Sequence, residues 1–263
     1  MLPFVISLSL DFALLFMVTE PEKEGIFMLK IWLKRLFFGP KADSASYIRH
    51  LRRKGMRIGS GTVIYNPRQT FIDETRPWMI EIGKNVQITR GVTILTHGYD
   101  WSVLKGKYGC VLGSCGKITI GSNVFIGMNA MILKGAVIGD NCIIGAGSVV
   151  TREIPPNSVA AGNPALVIMS LEDYLQKRQA AQEQEAAQLV SEYRTVYGRD
   201  PGEKELAEFF WLFCDDPDNL PPSWQEKMTL LGNEQQSRDA LRKNTKAFEN
   251  MEAFLKSFPR GKA

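Results

Sequence analysis

A period of six residues runs without interruption from Ile120 to Pro155, reading IGSNVF, IGMNAM, ILKGAV, IGDNCI, IGAGSV and VTREIP. The first position is always β-branched and aliphatic (Ile120, Ile126, Ile132, Ile138, Ile144, Val150), the second is glycine in four of the six, and the fifth is small or apolar. A helix needs apolar spacing near 3.6 residues and a simple strand needs strict alternation; neither yields six. Six residues suit one flat strand and a corner of a three-sided coil, with the aliphatic side chain on a narrow axis. Glycine at the second position is expected to permit a tight or positive-φ corner.

The same phase is found upstream at Ile58, Ile64, Ile82, Ile88 and Ile94. Thr70 and Arg76 break it, so residues 66–78 read as an irregular coil or a loop. From Ile94 to Ile120 the spacing is no multiple of six, and Leu95–Lys117 must leave the coil and return. Long excursions from a regular frame are usually functional or disordered. This one carries Tyr99, Trp101 and Tyr108 together with His97, the only histidine of the repeat region, and so reads as functional. A neutral imidazole can take the proton of an attacking hydroxyl near pH 7. The other histidine, His50, lies in the basic stretch Arg49–Arg57 with no acid near it in sequence, and reads as part of a solvated helix face.

The repeats together with the string GVTILTH resemble the hexapeptide-repeat acyltransferases, in particular the maltose and galactoside O-acetyltransferases and capsular or polysaccharide-type sugar O-acetyltransferases. The resemblance spans about Ile58 to Ile168. It implies an all-β core, a left-handed parallel β-helix (a hexapeptide-repeat solenoid), with an N-terminal helix and a C-terminal helical extension. It further implies a homotrimer that binds acetyl-CoA between subunits as co-substrate, with no metal, and carries the general-base role onto His97. Gly127, Met128, Ala146, Thr151 and Arg152 correspond to the wall along which the family lays CoA, and Arg152 could meet its phosphates. Leu166 in GNPALV stands where many relatives have a basic residue, so a phosphate contact made there is missing or supplied elsewhere. For the acceptor, Asn66 in VIYNP and Asp73 in TFIDE fall near positions that hold a sugar, although both are ordinary turn residues as well. Tyr99 joins them, and Asp100 either orients the imidazole, binds a sugar hydroxyl or caps a turn. The implied activity is transfer of acetyl from acetyl-CoA to a sugar or glycan-precursor hydroxyl by direct attack on the thioester. N-acetyl transfer to an amino sugar or an antibiotic, and a non-catalytic β-helix scaffold, are the alternatives.

Other classes are excluded by composition. A net charge of +4 over 263 residues is too mild for a nucleic-acid binder. A three-histidine zinc site needs more histidines than the chain's two. The four cysteines form no CxxC pair, which points to free thiols, a reducing compartment and a cytoplasmic protein. Met1–Val18 is apolar, but it has no basic flank and carries Asp11 at its centre, so residues 1–27 read as an upstream extension ahead of Met28. Leu29–Phe38 has the pattern of a basic amphipathic helix, expected to cover a coil end, with peripheral membrane contact as the second use. The expected domains are thus 1–57, an extension with capping helices; 58–168, the β-helix; and 169–263, a helical region. Within the last, the chain predicts helices over Leu171–Val196, from Asp200-Pro201-Gly202-Glu203 through ELAEFFWLF, from a capping box of Ser223 with Glu226, and a final amphipathic helix marked by Leu241, Phe248, Met251, Leu255 and Phe258.

Overall fold

The structure, a computed structural model, describes residues 36–258. The expected extension 1–27 and most of the amphipathic segment Leu29–Phe38 lie outside the described residues; Leu36, Phe37 and Phe38 are exposed. The chain divides into two compact units, one holding the repeats through residue 156 with 160–166, the other holding 157–159 and everything from 167.

In the repeat unit the chain visits three parallel sheets in rotation. The first stacks Arg57–Ile58, Ile80–Ile82, Ile118–Ile120, Val137–Ile138 and Glu153–Ile154. The second stacks Val63–Ile64, Gln87–Ile88, Phe125–Ile126 and Ile143–Ile144, and the third Phe71–Ile72, Thr93–Leu95, Met131–Leu133 and Val149–Val150. Where the hexads are regular, paired residues are eighteen apart in sequence, three hexads per circuit, as in Phe125 with Ile143 and Met131 with Val149. The hydrogen bonds that a lone two-residue strand could not satisfy are therefore met by the circuits on either side of it.

The first-position side chains form the core: Ile120, Ile126, Ile132, Ile138, Ile144 and Val150 are each at most 1% exposed. Fifth-position Val124, Ala130, Ala136 and Cys142 are buried beside them. Residues 66–78 prove to be neither wholly coil nor wholly loop. Phe71–Ile72 is a strand paired with Thr93–Ile94, and the extra residues are absorbed at the corners before and after it.

The corner geometry decides between the two expected roles of the second-position glycines. At Gly127 a Cβ would lie 2.5 Å from Ala146 N, so the side chain is excluded by the next circuit rather than by φ. The left-handed backbone falls two residues later, on Asn123, Asn129 and Asn141 (φ 56, 59 and 57) and on Gly135 and Gly147. Asparagine tolerates this region better than other non-glycine residues.

Helix α1 (Ser44–Arg53) precedes the first circuit. Asp43 caps it by accepting from Ser46 N at 2.7 Å, and Tyr47, Ile48 and Leu51 join the core cluster of the repeats. Its His50 does not sit on a solvated face: Nε2 lies 2.8 Å from the Glu74 carboxylate, which also takes Lys54 at 3.1 Å. The acid missing near His50 in sequence is supplied by an enlarged corner one circuit on.

The second unit takes up most of the strand Leu166–Ser170 and continues into a helix over Leu171–Tyr197, capped by Ser170 and ended by Gly198 in the left-handed conformation. The segment ELAEFFWLF is not an α-helix. Successive three-residue hydrogen bonds (Phe209 N to Leu206 O, Leu212 N to Phe209 O) make turns ending in a 3₁₀ helix at Phe210–Leu212. That winding buries Leu206, Ala207, Phe210, Leu212 and Phe213 together, more directions than one helical stripe could serve. The Ser223 capping box is absent too: Pro222, preset for the first helical turn, starts Pro222–Met228 two residues earlier than that cap would, with no side-chain cap. The final helix is two helices, Glu234–Arg242 and Met251–Ser257. Between them Phe248 N bonds Leu212 O, and Asn250 caps the second through Ala253 N. No helix among the described residues is long and apolar enough to cross a membrane.

Candidate active site

Two enlargements of the circuit fall at the same corner, between the third sheet and the first. One follows Phe71–Ile72 and contains Asp73 to Met79; the other follows Thr93–Leu95 and is the excursion begun by His97. The pairing of Ile72 with Ile94 stacks these two corners, and Asp73 N donates to Ile94 O at 2.9 Å. The residue placed near a sugar by sequence therefore lies directly beneath the imidazole.

Asp73 is 1% exposed. Its Oδ1 accepts from Thr75 N at 2.9 Å and Thr75 Oγ1 at 2.6 Å. Its Oδ2 accepts from Thr96 N at 3.2 Å, from the Thr96 hydroxyl, and pairs with His97 Nδ1 at 2.8 Å. Burial alone would raise the carboxyl, but the hydrogen bonds from Thr75, Thr96 and His97 outweigh it and hold Asp73 well below the usual carboxylate range. An ionised carboxylate only accepts, so Nδ1 carries the proton and Nε2 of the neutral ring keeps a free lone pair. Nε2 has no protein partner among the described residues, and the side chain is 11% exposed. The arrangement can take a proton from a group presented to Nε2 and stabilise the imidazolium that results.

The excursion is closed by an antiparallel ribbon in which His97 faces Cys115 and Gly98 faces Ser114. Between its arms lies helix α2 (Trp101–Tyr108), with no buried residue, ended by Gly109 at φ 78. Tyr99, 70% exposed, sets its ring edge-on to the imidazole at 5.4 Å and leans on Trp101 at 6.0 Å. Asp100 precedes α2 without capping it by its side chain; the carboxylate that orients the imidazole is Asp73. On the other face of the ribbon, Lys134 donates to Ser114 Oγ.

The remaining sequence candidates divide between two corners. Thr151 and Arg152, both exposed, follow Val149–Val150 on the corner column that holds His97 and Lys134. Gly127, Met128 and Ala146 line the preceding corner, where Gly147 N donates to Met128 O at 2.8 Å. Asn66 belongs to that same preceding corner and is engaged in its own turn, donating to Gln69 Oε1 at 2.9 Å. One chain thus brings together His97, Asp73 and Tyr99, sets the Asp100 carboxylate beside Gly98, and carries Thr151 and Arg152 higher on the same edge. It does not bring Asn66, Gly127, Met128 or Ala146 to that corner. Sequence reasoning passed over Thr75, Thr96, Lys134 and Cys115; Thr96, polar and 0% exposed, is the one whose neighbour His97 could have drawn notice. Among the described residues no cluster of His, Cys, Asp and Glu could hold a metal ion.

Residues 117–152 match the family described as bacterial transferase hexapeptide (six repeats). The chain is 42% identical over 120 residues to a galactoside O-acetyltransferase of Escherichia coli (strain K12), covering 45% of this chain and 57% of that enzyme, just over half its length. It is 41% identical over 125 residues to protein CapG of Staphylococcus aureus, covering 47% and 71% of the two chains. A galactoside O-acetyltransferase of Lactococcus lactis subsp. lactis (strain IL1403) is 38% identical over 159 residues, 59% and 72% of the respective lengths.

Proposed function

Because the chain belongs to the bacterial hexapeptide-repeat transferase family, we propose that it is an acetyl-CoA-dependent O-acetyltransferase acting on a hydroxyl of a sugar or glycan precursor, with His97 as general base. The observation that carries this reading is the Asp73–His97 pair, which leaves Nε2 with no partner among the described residues and beside an aromatic ring. The acceptor hydroxyl donates to Nε2, loses its proton as its oxygen attacks the thioester carbon, and the imidazolium formed is stabilised by the Asp73 carboxylate. The proton passes to the departing CoA thiolate. Tyr99 offers its exposed ring to a sugar face, and Asp100 offers a carboxylate to a hydroxyl.

The three-sheet rotation is read as a left-handed β-helix, assembled as a homotrimer. Gly127, Met128 and Ala146 of one subunit and Thr151 and Arg152 would line the CoA groove. The split of these residues between two corners of a single chain supports a groove shared between subunits. The relatives' acetyl-transfer names support the donor.

The test is a screen of neutral and charged sugars with acetyl-CoA, reading free thiol release and confirming the product by mass. Acetylation of a sugar hydroxyl by the protein, lost in His97→Ala, is the expected result. Acetylation confined to amines, or no transfer together with no acetyl-CoA binding by calorimetry, would overturn it.

A further inference from the structure

The four cysteines are not equivalent. Cys142 is buried in the core, and burial pushes the Cys214 thiol up, which lowers its reactivity. Cys110 is half-buried, and Cys115 is exposed. Cys115 is also the residue directly across the ribbon from His97.

The type of pairing sets how close the two side chains come. Gly116 N donates to Thr96 O at 2.9 Å, so residues 96 and 116 form the hydrogen-bonded rung. His97 and Cys115, one step along, are therefore the non-hydrogen-bonded rung, the kind whose side chains stand closest, with Cβ atoms about 4.5–5.5 Å apart. Directly opposed residues share one face of the ribbon, and the Tyr99 ring meets the imidazole edge-on at 5.4 Å. The face thus bears an exposed thiol, an imidazole whose Nε2 has no protein partner among the described residues, and an aromatic ring. Gly98 and Ser114, with the Lys134 ammonium that bonds Ser114 Oγ, belong to the reverse face.

From this placement we infer that Cys115 is itself an acyl acceptor, taking the acetyl group of acetyl-CoA with His97 as its base. The inference rests on acetyl-CoA being the donor. The thiol proton passes to His97 Nε2, Sγ attacks the thioester carbonyl carbon, the bond from that carbon to the CoA sulfur breaks, and the imidazolium returns the proton to the CoA thiolate. One thioester and one thiol are consumed and one of each is formed, with no oxidant or further reactant. Exchange between like bonds runs in both directions, so excess CoA thiol removes the modification. The thiolate, not the thiol, is the nucleophile, so the neighbouring base decides the rate.

The full chain is incubated with acetyl-CoA and no acceptor, followed by intact mass measurement and peptide mapping, with calorimetric titration of acetyl-CoA alongside. One acetyl group per chain is expected, on Cys115 and not on Cys110, released by neutral hydroxylamine and by excess CoA, and absent in Cys115→Ala. In His97→Ala its formation should slow by about 10²-fold or more. A hydroxyl acceptor that the protein acetylates should reduce the labelling, since both draw on the same bound donor. Acetyl-CoA binding with Cys115 left unmodified, or an equal labelling rate in His97→Ala, overturns the inference and leaves O-acetyl transfer standing. Failure to bind acetyl-CoA overturns both.

Discussion

Asp73 Oδ2 lies 2.8 Å from His97 Nδ1, and the two residues come from corners stacked on consecutive circuits. The relationship makes the carboxylate an orienting group for the base. Asp73→Asn keeps the shape but lets the amide favour the other ring tautomer. A fall in kcat of about 10²–10⁴-fold is expected, with acetyl-CoA affinity unchanged, measured by steady-state kinetics and calorimetry. An unaltered kcat would remove Asp73 from the mechanism.

His97→Ala and Arg152→Ala should separate chemistry from binding. Loss of the general base lowers kcat by about 10²–10⁴-fold at nearly constant acetyl-CoA affinity. Loss of the exposed Arg152 should raise the KM for acetyl-CoA with a smaller effect on kcat. The same pattern in both variants would contradict this division of roles.

The buried Asp73 carboxylate also sets an acid-stability prediction. Its folded pKa lies below the unfolded value, so its stabilising contribution is complete above the ordinary carboxylate range and is lost as pH falls through the folded value. Thr96→Val removes the hydroxyl that bonds Oδ2 and narrows that gap. Acid unfolding followed by circular dichroism should then begin at higher pH than in the wild type, and neutral stability should fall by about 1–3 kcal/mol.

Gly127→Ala tests whether that glycine serves the coil. A methyl placed 2.5 Å from Ala146 N forces the circuits apart. A loss of about 1–3 kcal/mol in denaturant unfolding is expected. Unchanged stability accompanied by weakened acetyl-CoA binding would assign Gly127 to the cofactor wall instead.

The inward row was legible in the chain because a period of six has only one way to keep Ile120, Ile126 and Ile132 on a common axis. The corners were less so. Second-position glycine was expected to permit a tight or positive-φ corner; it serves the tight approach of the next circuit, whereas the left-handed residue is the fourth of the hexad, Asn123, Asn129 or Asn141, and its asparagines were overlooked beside the glycines. The partners of both histidines were hidden for a different reason. Asp73 and Glu74 lie in a corner whose length departs from the repeat, so no spacing rule connects them to His97 and His50 until Ile72 is set beside Ile94. Cys115 was hidden because the ribbon that opposes it to His97 runs antiparallel and obeys no period of six. In the second unit, Leu241 and Phe254 belong to one core cluster but to separate helices, so apolar spacing read across residues 243–250 joined elements that the chain keeps apart.

Both enlargements swell outward at one corner, and the strand pairing resumes in register after each, with Ile82 beside Ile120 as Ile58 is beside Ile82. That edge therefore works as a splice point. Residues 99–113 can be exchanged for a segment of different length without asking any core isoleucine, Thr96 or His97 to move, provided its two ends meet as a ribbon. The acceptor a chain of this design recognises can then change by grafting one loop, while the frame that aims Asp73 stays as it is.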